Sequence, residues 1–176
     1  MHASEFDEAW EDDFSATERE ELELGQLILG AAIRELEAPA AVLVPESASI
    51  ESVIQGMLDR GLGAVLVQRE GRIVGIFTER DVLRRVVSLA VNRERPVAEV
   101  MTPDPEALDP EDGIGFALNR MVVGGFRHIL IKDDKGSAPA LLSQRDVVAF
   151  IVARMPKRVL NLPPEPHLEA RNPDGG

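Results

Sequence analysis

Two tetrapeptides carry side chains suited to holding a small polar molecule: Thr78-Glu79-Arg80-Asp81 and Ser143-Gln144-Arg145-Asp146. Each sets a hydroxyl three residues before an Asp, with an Arg between, and comes after a short apolar run (Gly75-Ile76-Phe77 or Ala140-Leu141-Leu142). Such a run stopping at a hydroxyl reads as a buried strand, and the tetrapeptide itself as the first turn of a helix. At a helix start, free backbone N–H groups and the helix dipole favour an anion such as phosphate. Thr78 or Ser143 would add a donor beside it. Asp81 or Asp146 would repel phosphate but suits a sugar, whose adjacent hydroxyls can both donate to one carboxylate. Ribose with phosphate makes a nucleotide. The same residues also read as near-capping boxes, the N-cap alone stabilising its helix by about 0.5–2 kcal/mol. The usual partner in that box is Glu or Gln, whose longer arm reaches back to the N-cap N–H. Both junctions have Asp instead. Chemistry alone leaves the two readings open.

The elements that must position these residues occur twice. Val42-Leu43-Val44 is a short strand, and Pro45 to Ser49 a turn. Ile50, Val53, Ile54, Met57 and Leu58 then stripe a helix that ends near Gly61, a left-handed C-cap position. Ala64-Val65-Leu66-Val67 is a buried strand, turned by Gln68-Arg69-Glu70-Gly71 into a second, Arg72 to Phe77. The helix from Thr78 is expected to face inward with Val82, Leu83, Val86 and Val87 and outward with Arg80, Arg84 and Arg85. Pro39, Ile50, Met57, Val65 and Val67 recur 64 positions on as Pro103, Ile114, Met121, Ile129 and Ile131. Past the hairpin loop the shift is 65, matching Gly71, Thr78, Arg80 and Asp81 to Gly136, Ser143, Arg145 and Asp146. An insertion confined to a loop is what a duplicated fold tolerates. The fold class is therefore α/β (α+β): two β-α-β-β-α repeats packed about a pseudo-twofold axis, with an N-terminal helix.

The chain divides into four segments: 1–37, an acidic arm and helix; 38–95, the first repeat; 96–156, the second; 157–176, a Pro-rich tail. Residues 1–24 hold ten acids against Arg19 alone, so most of the net charge of −12 sits there and the body is near balance. The arm reads as a solvated segment, or as a short amphipathic one docking Phe6, Trp10 and Phe14. Ser15-Ala16-Thr17-Glu18 opens a helix expected to run to about Glu37 and, apolar almost all round between Leu27 and Ile33, to want cover on two sides. Val159, Leu160 and Leu162 are the residues expected to anchor the first part of the tail on the body. The acidic balance and 4% aromatic content argue against nucleic acid. No cysteine is present, which removes thiol catalysis and disulfides. No apolar run approaches the ~20 residues that cross a bilayer, so no membrane partner and a cytoplasmic location are expected. His2, His128 and His167 are too scattered for a metal centre, and no nucleophile–base pair points to an enzyme.

Met101-Thr102-Pro103, then Arg127-His128-Ile129-Leu130-Ile131 and Leu142-Ser143-Gln144-Arg145-Asp146, resemble a CBS domain (cystathionine β-synthase type). So does Leu62-Gly63-Ala64-Val65-Leu66-Val67 through Gly71 to Asp81. The resemblance covers about residues 36–155 as a tandem pair, a Bateman module. It implies a disc-like module that commonly dimerises and binds adenosine derivatives between its repeats, with AMP, ADP, ATP or S-adenosylmethionine as candidate ligands and no cofactor. By that resemblance Asp81 and Asp146 hold ribose hydroxyls, Thr78 and Ser143 approach phosphate, and Ala64-Val65 and His128-Ile129 line the adenine pockets. Arg80, Arg145, Arg127 and His128 are candidates for phosphate charge, or else solvated surface charges. The copies differ: repeat 1 has Glu37-Ala38-Pro39 for Met-Thr-Pro and Gly63-Ala64 for Arg127-His128, and Gly124-Gly125 is expected to loosen a helix end in repeat 2. If one site alone takes a phosphorylated ligand, the Ser143–Asp146 pocket is the expected one. A regulatory module, homodimeric and acting on a partner protein, is the first expectation. A non-binding dimeric scaffold using the N-terminal helix is the other.

Overall fold

The computed structural model describes residues 16–36, 38–132 and 139–154. Expectations for Phe6, Trp10, Phe14, Ser15, Glu37 and the tail lie outside these. Helix α1 spans Ala16–Gly30 and is succeeded by a 3-10 turn, Ile33–Leu36. The first repeat runs β1 Leu43–Pro45, α2 Ile50–Arg60, β2 Ala64–Arg69, β3 Arg72–Thr78 and α3 Glu79–Asp81, which continues as a π-helical stretch, Val82–Val87. A 3-10 turn at Val97–Glu99 and β4 Thr102–Pro103 lead to the second repeat. It contains β5 Ala107–Leu108, α4 Ile114–Gly124, β6 His128–Ile131, β7 Ala140–Ser143 and α5 Gln144–Arg154.

The duplication is visible in the pairing. β1 lies parallel to β2, which pairs antiparallel with β3; β5 lies parallel to β6, which pairs antiparallel with β7. The continuous apolar run in β2 results from burial on both faces. Val65 and Val67 pack under the helices with Ile50, Val53, Met57 and Phe77. Ala64 and Leu66 face the other way, and meet Ile76, Leu130 and Leu141 where the two sheets join. Leu66 and Leu130 are repeat equivalents, and so are Ile76 and Leu141, so this interface is self-complementary, as a twofold requires.

The repeats are also interleaved. Ile33 N–H donates to Asp112 O (2.9 Å), Arg34 N–H to Pro110 O (2.9 Å), and Ile114 N–H to Ala31 O (2.9 Å). Sixty-four residues on, Val97 N–H donates to Ala48 O (2.8 Å) and Ala98 N–H to Glu46 O (3.2 Å), while Ile50 N–H donates to Arg95 O (2.9 Å). Bridges Ala32–Gly113 and Ser49–Pro96 complete the exchange. The segment that precedes each repeat thus closes the other: Ile28 and Ile33 are buried with Ile114, Met121 and Phe150, and Val97 and Val100 with Ile50 and Met57.

Three local expectations change. The N-terminal helix ends at Gly30 rather than near Glu37, because the backbone of residues 31–34 bonds to the second repeat instead of continuing a helix. It is covered on one side: Ile28 is buried, whereas Leu27 is 73% exposed. Along Val82–Val87, Val86 is buried but Leu83 and Val87 are exposed, as are their repeat equivalents Val148 and Val152 on the regular helix α5, so the exposure follows from where the helix sits on the fold. Arg85 turns inward, as its repeat equivalent Phe150 does, and donates to Val100 O (3.1 Å) and Met101 O. The Gly124-Gly125 pair is ordered by packing: Gly125 is a left-handed C-cap (φ 67°), and a Cβ on Gly124 would collide with the Phe126 ring.

Candidate functional site

Both strand–helix junctions form capping boxes with Asp in the third helical position. Asp81 Oδ2 accepts from Thr78 N–H (3.0 Å) and Thr78 Oγ1 (2.7 Å), and Asp81 N–H donates back to Thr78 Oγ1 (3.2 Å). Asp146 Oδ2 accepts from Ser143 N–H (2.9 Å) and Ser143 Oγ (2.6 Å), and Asp146 N–H donates to Ser143 Oγ (3.2 Å). The first helical N–H is engaged as well, from Glu79 to Gly63 O (3.1 Å) and from Gln144 to Arg127 O (3.0 Å). Two of the N–H groups that an anion would use at each helix start therefore have partners within the fold.

The two carboxylates differ at their second oxygen. Asp81 is 6% exposed. Its Oδ1 accepts from Thr102 Oγ1 (3.1 Å) and lies 3.5 Å from Arg85 Nη1. A buried carboxylate needs such partners to offset its lost hydration. Asp146 Oδ1 accepts no hydrogen bond from the described residues, and its side chain is only half-buried. The sequence explains the contrast. At the repeat shifts of 64 and 65, Ala38 corresponds to Thr102 and Phe150 to Arg85, and neither can donate a side-chain hydrogen bond.

The cavities track the carboxylates. At Asp146 a cleft of about 570 Å³ opens between Pro39-Ala40-Ala41-Val42 and the β7–α5 junction. Strand pairing holds that wall in place: Ala41 N–H donates to Pro139 O (2.8 Å) and Leu141 N–H to Pro39 O (3.3 Å). At Asp81 the space is about 110 Å³, because β4 pairs with β3 and carries Thr102 into it. Gly75 permits that approach: a Cβ there would collide with Met101 Sδ.

Of the residues singled out from sequence, Ser143, Arg145, Asp146, Ala64, Arg127 and His128 line the large cleft. Thr78, Arg80 and Asp81 line the small one, where Arg80 Nη1 donates to Gly125 O (2.7 Å). Val65 and Ile129 lie in the two cores, so their side chains do not reach either cavity. Arg127 and His128 border both spaces, as does Gly63. The absent side chain at Gly63 makes room for the His128 ring, whose Cε1 and Nε2 would be 3.3 Å from a Cβ placed there. Burial lowers the proton affinity of His128, partly countered by Asp146 and Glu79 and reinforced by Arg127. Sequence reasoning missed the Pro39–Val42 wall and Glu79. The recurrence of Pro39 at Pro103 marked the wall as part of the repeat, but not which cleft it borders.

A duplicated β-α-β-β-α module with one roomy cleft at a strand–helix junction defines the class. The CBS-domain family model matches residues 33–88 and 97–153, and the chain belongs to that family. It is 32% identical over 125 residues to the Arabidopsis thaliana CBS domain-containing protein CBSCBSPB1, covering 70% of this chain but 23% of that longer protein. It is 29% identical to an uncharacterized 17.7 kDa protein of Acidianus ambivalens, covering 68% of this chain and 73% of that one. Among solved structures, the fold matches the Pyrobaculum aerophilum CBS domain protein PAE2072 complexed with AMP: TM-score 0.60, 22% identity, 70% of this chain and 99% of that one. It also matches CBSX2 in complex with AMP, with a TM-score of 0.59, 17% identity, and 70% and 98% of the two chains covered. No helix among the described residues is long and apolar enough to cross a membrane.

Proposed function

We propose that this chain is a regulatory module that takes an adenosine-type ligand in the Asp146 cleft, with one cleft occupied rather than two. The observation that carries this reading is the open Oδ1 of Asp146, an acceptor bordering a cleft of about 570 Å³, while both oxygens of Asp81 have partners within the fold. Oδ1 accepts the ribose hydroxyls. Pro39, Ala40, Val42, Ala64 and Leu141 offer apolar surface to the base, and Arg127 and Arg145, both exposed, offer charge to a phosphate. Fold neighbours solved with AMP support the ligand class. Because the cleft has walls from both repeats, a ligand there favours the closed arrangement of the pair, and that shift is the regulatory signal.

Thermal unfolding with AMP, ADP, ATP and S-adenosylmethionine tests it. At least one should raise the melting temperature of the wild type, by about 2.7 kcal/mol of stabilisation at a hundredfold excess over Kd. Asp146→Ala should lose that response. Asp81→Ala should melt lower but keep it. No response from the wild type, or an unchanged response from Asp146→Ala, would overturn the reading.

A further inference from the structure

We propose that Glu79 sets the charge this cleft accepts, so that it takes adenosine ligands with one phosphate or none and turns away the triphosphate. The inference rests on the adenosine reading of the Asp146 cleft and deepens it. Glu79 opens α3 of the first repeat, yet it lines the cleft that holds Asp146 of the second. Its Oε2 lies 3.8 Å from where a Cβ of Gly63 would stand, within the wall formed with Arg127 and His128. It has no ion-pair partner among the described residues. The formally charged residues of the cleft are Glu79 and Asp146 against Arg127 and Arg145, a balanced set. His128 adds little positive charge near neutral pH, since burial lowers its proton affinity.

A polyphosphate site needs surplus positive charge or a metal ion to neutralise its oxygens. Here two arginines can meet one phosphate, and further phosphates face Glu79 with no cation left to match them. Burying that repulsion in a partly enclosed cleft makes it stronger than on open surface. The second repeat has Gln144 at the equivalent position, an amide of the same length without the charge. Glu79→Gln is therefore a conservative probe.

The test is calorimetric titration of adenosine, AMP, ADP and ATP, in magnesium-free buffer, into wild type and Glu79→Gln. AMP should bind the wild type at least about tenfold more tightly than ATP, and the variant should narrow that gap by roughly fivefold while keeping AMP affinity. The difference between the two proteins should shrink as salt is raised, as it must for a charge effect. Wild type that binds ATP as well as AMP, or a variant with an unchanged ratio, overturns the role of Glu79 alone. Absence of binding by every compound overturns the adenosine reading, and this inference with it.

Discussion

At the scale of single residues, the two aspartates show how one motif comes to stand in two different surroundings. Thr78-x-x-Asp81 and Ser143-x-x-Asp146 cap their helices identically, so the capping reading and the ligand reading of the sequence are compatible in the second repeat. What separates them is the pair Thr102 and Arg85, replaced at the equivalent places by Ala38 and Phe150. Those residues are plain in the sequence. That Thr102 reaches the aspartate of the other repeat is a matter of tertiary pairing, which no local pattern reports. His128 gives a prediction at this scale. Its folded proton affinity is below that of an exposed histidine, so the unfolded chain binds more protons once pH falls below about 6.5. Stability should therefore decline from that pH downward until the folded form is protonated too. Denaturant titrations across pH 5–8 should show a shallower decline for His128→Asn than for the wild type; equal slopes would remove His128 as the cause.

At the scale of elements, the strands and the two striped helices were legible because their apolar spacing is dictated by burial. Leu83 and Val87 misled because Val82-Leu83 and Val86-Val87 are apolar pairs at helical spacing, and spacing does not report that only the first of each pair packs on the core, as Val147 and Ile151 do in the second repeat. The end of α1 at Gly30 escaped because residues 31–34 have helical composition, but the N–H groups of Ile33 and Arg34 and the C=O of Ala31 find partners on the second repeat. Ile33, 1% exposed, is the side chain at that crossing. Ile33→Ala should cost about 2–5 kcal/mol, the range for emptying a buried site. Although Ile33 precedes the first repeat in sequence, the loss should fall on the whole molecule, so circular dichroism should show one urea transition at a lower midpoint. Two separated transitions would mean that the repeats unfold independently.

At the scale of the whole molecule, the exposed apolar side chains repeat with the fold. Leu58 on α2 answers to Val122 on α4, Leu83 to Val148 on α5, and Val87 to Val152; all six are exposed. Apolar residues placed alike on both helix pairs suit a symmetric partner, and we infer that a second copy of the chain covers them. Light scattering should find the wild type at twice the mass of one chain and the double variant Leu58→Glu, Val122→Glu at one. Leu27→Glu on α1 should leave the mass unchanged, whereas a monomer from that variant would favour association through the N-terminal helix.

The reciprocal closure at Ile33 and Val97 has a consequence for ancestry and for cutting the chain. A gene for one repeat would encode a protein whose leading turn has no place on its own body and fits only a sister chain, so its stable form would be an interlocked pair. Joining two such copies in tandem would turn that encounter, which depends on concentration, into an event within one chain. Severing the chain in the bridge at Asn92–Glu94 should recreate that condition, in which each half waits for a companion to supply the missing turn.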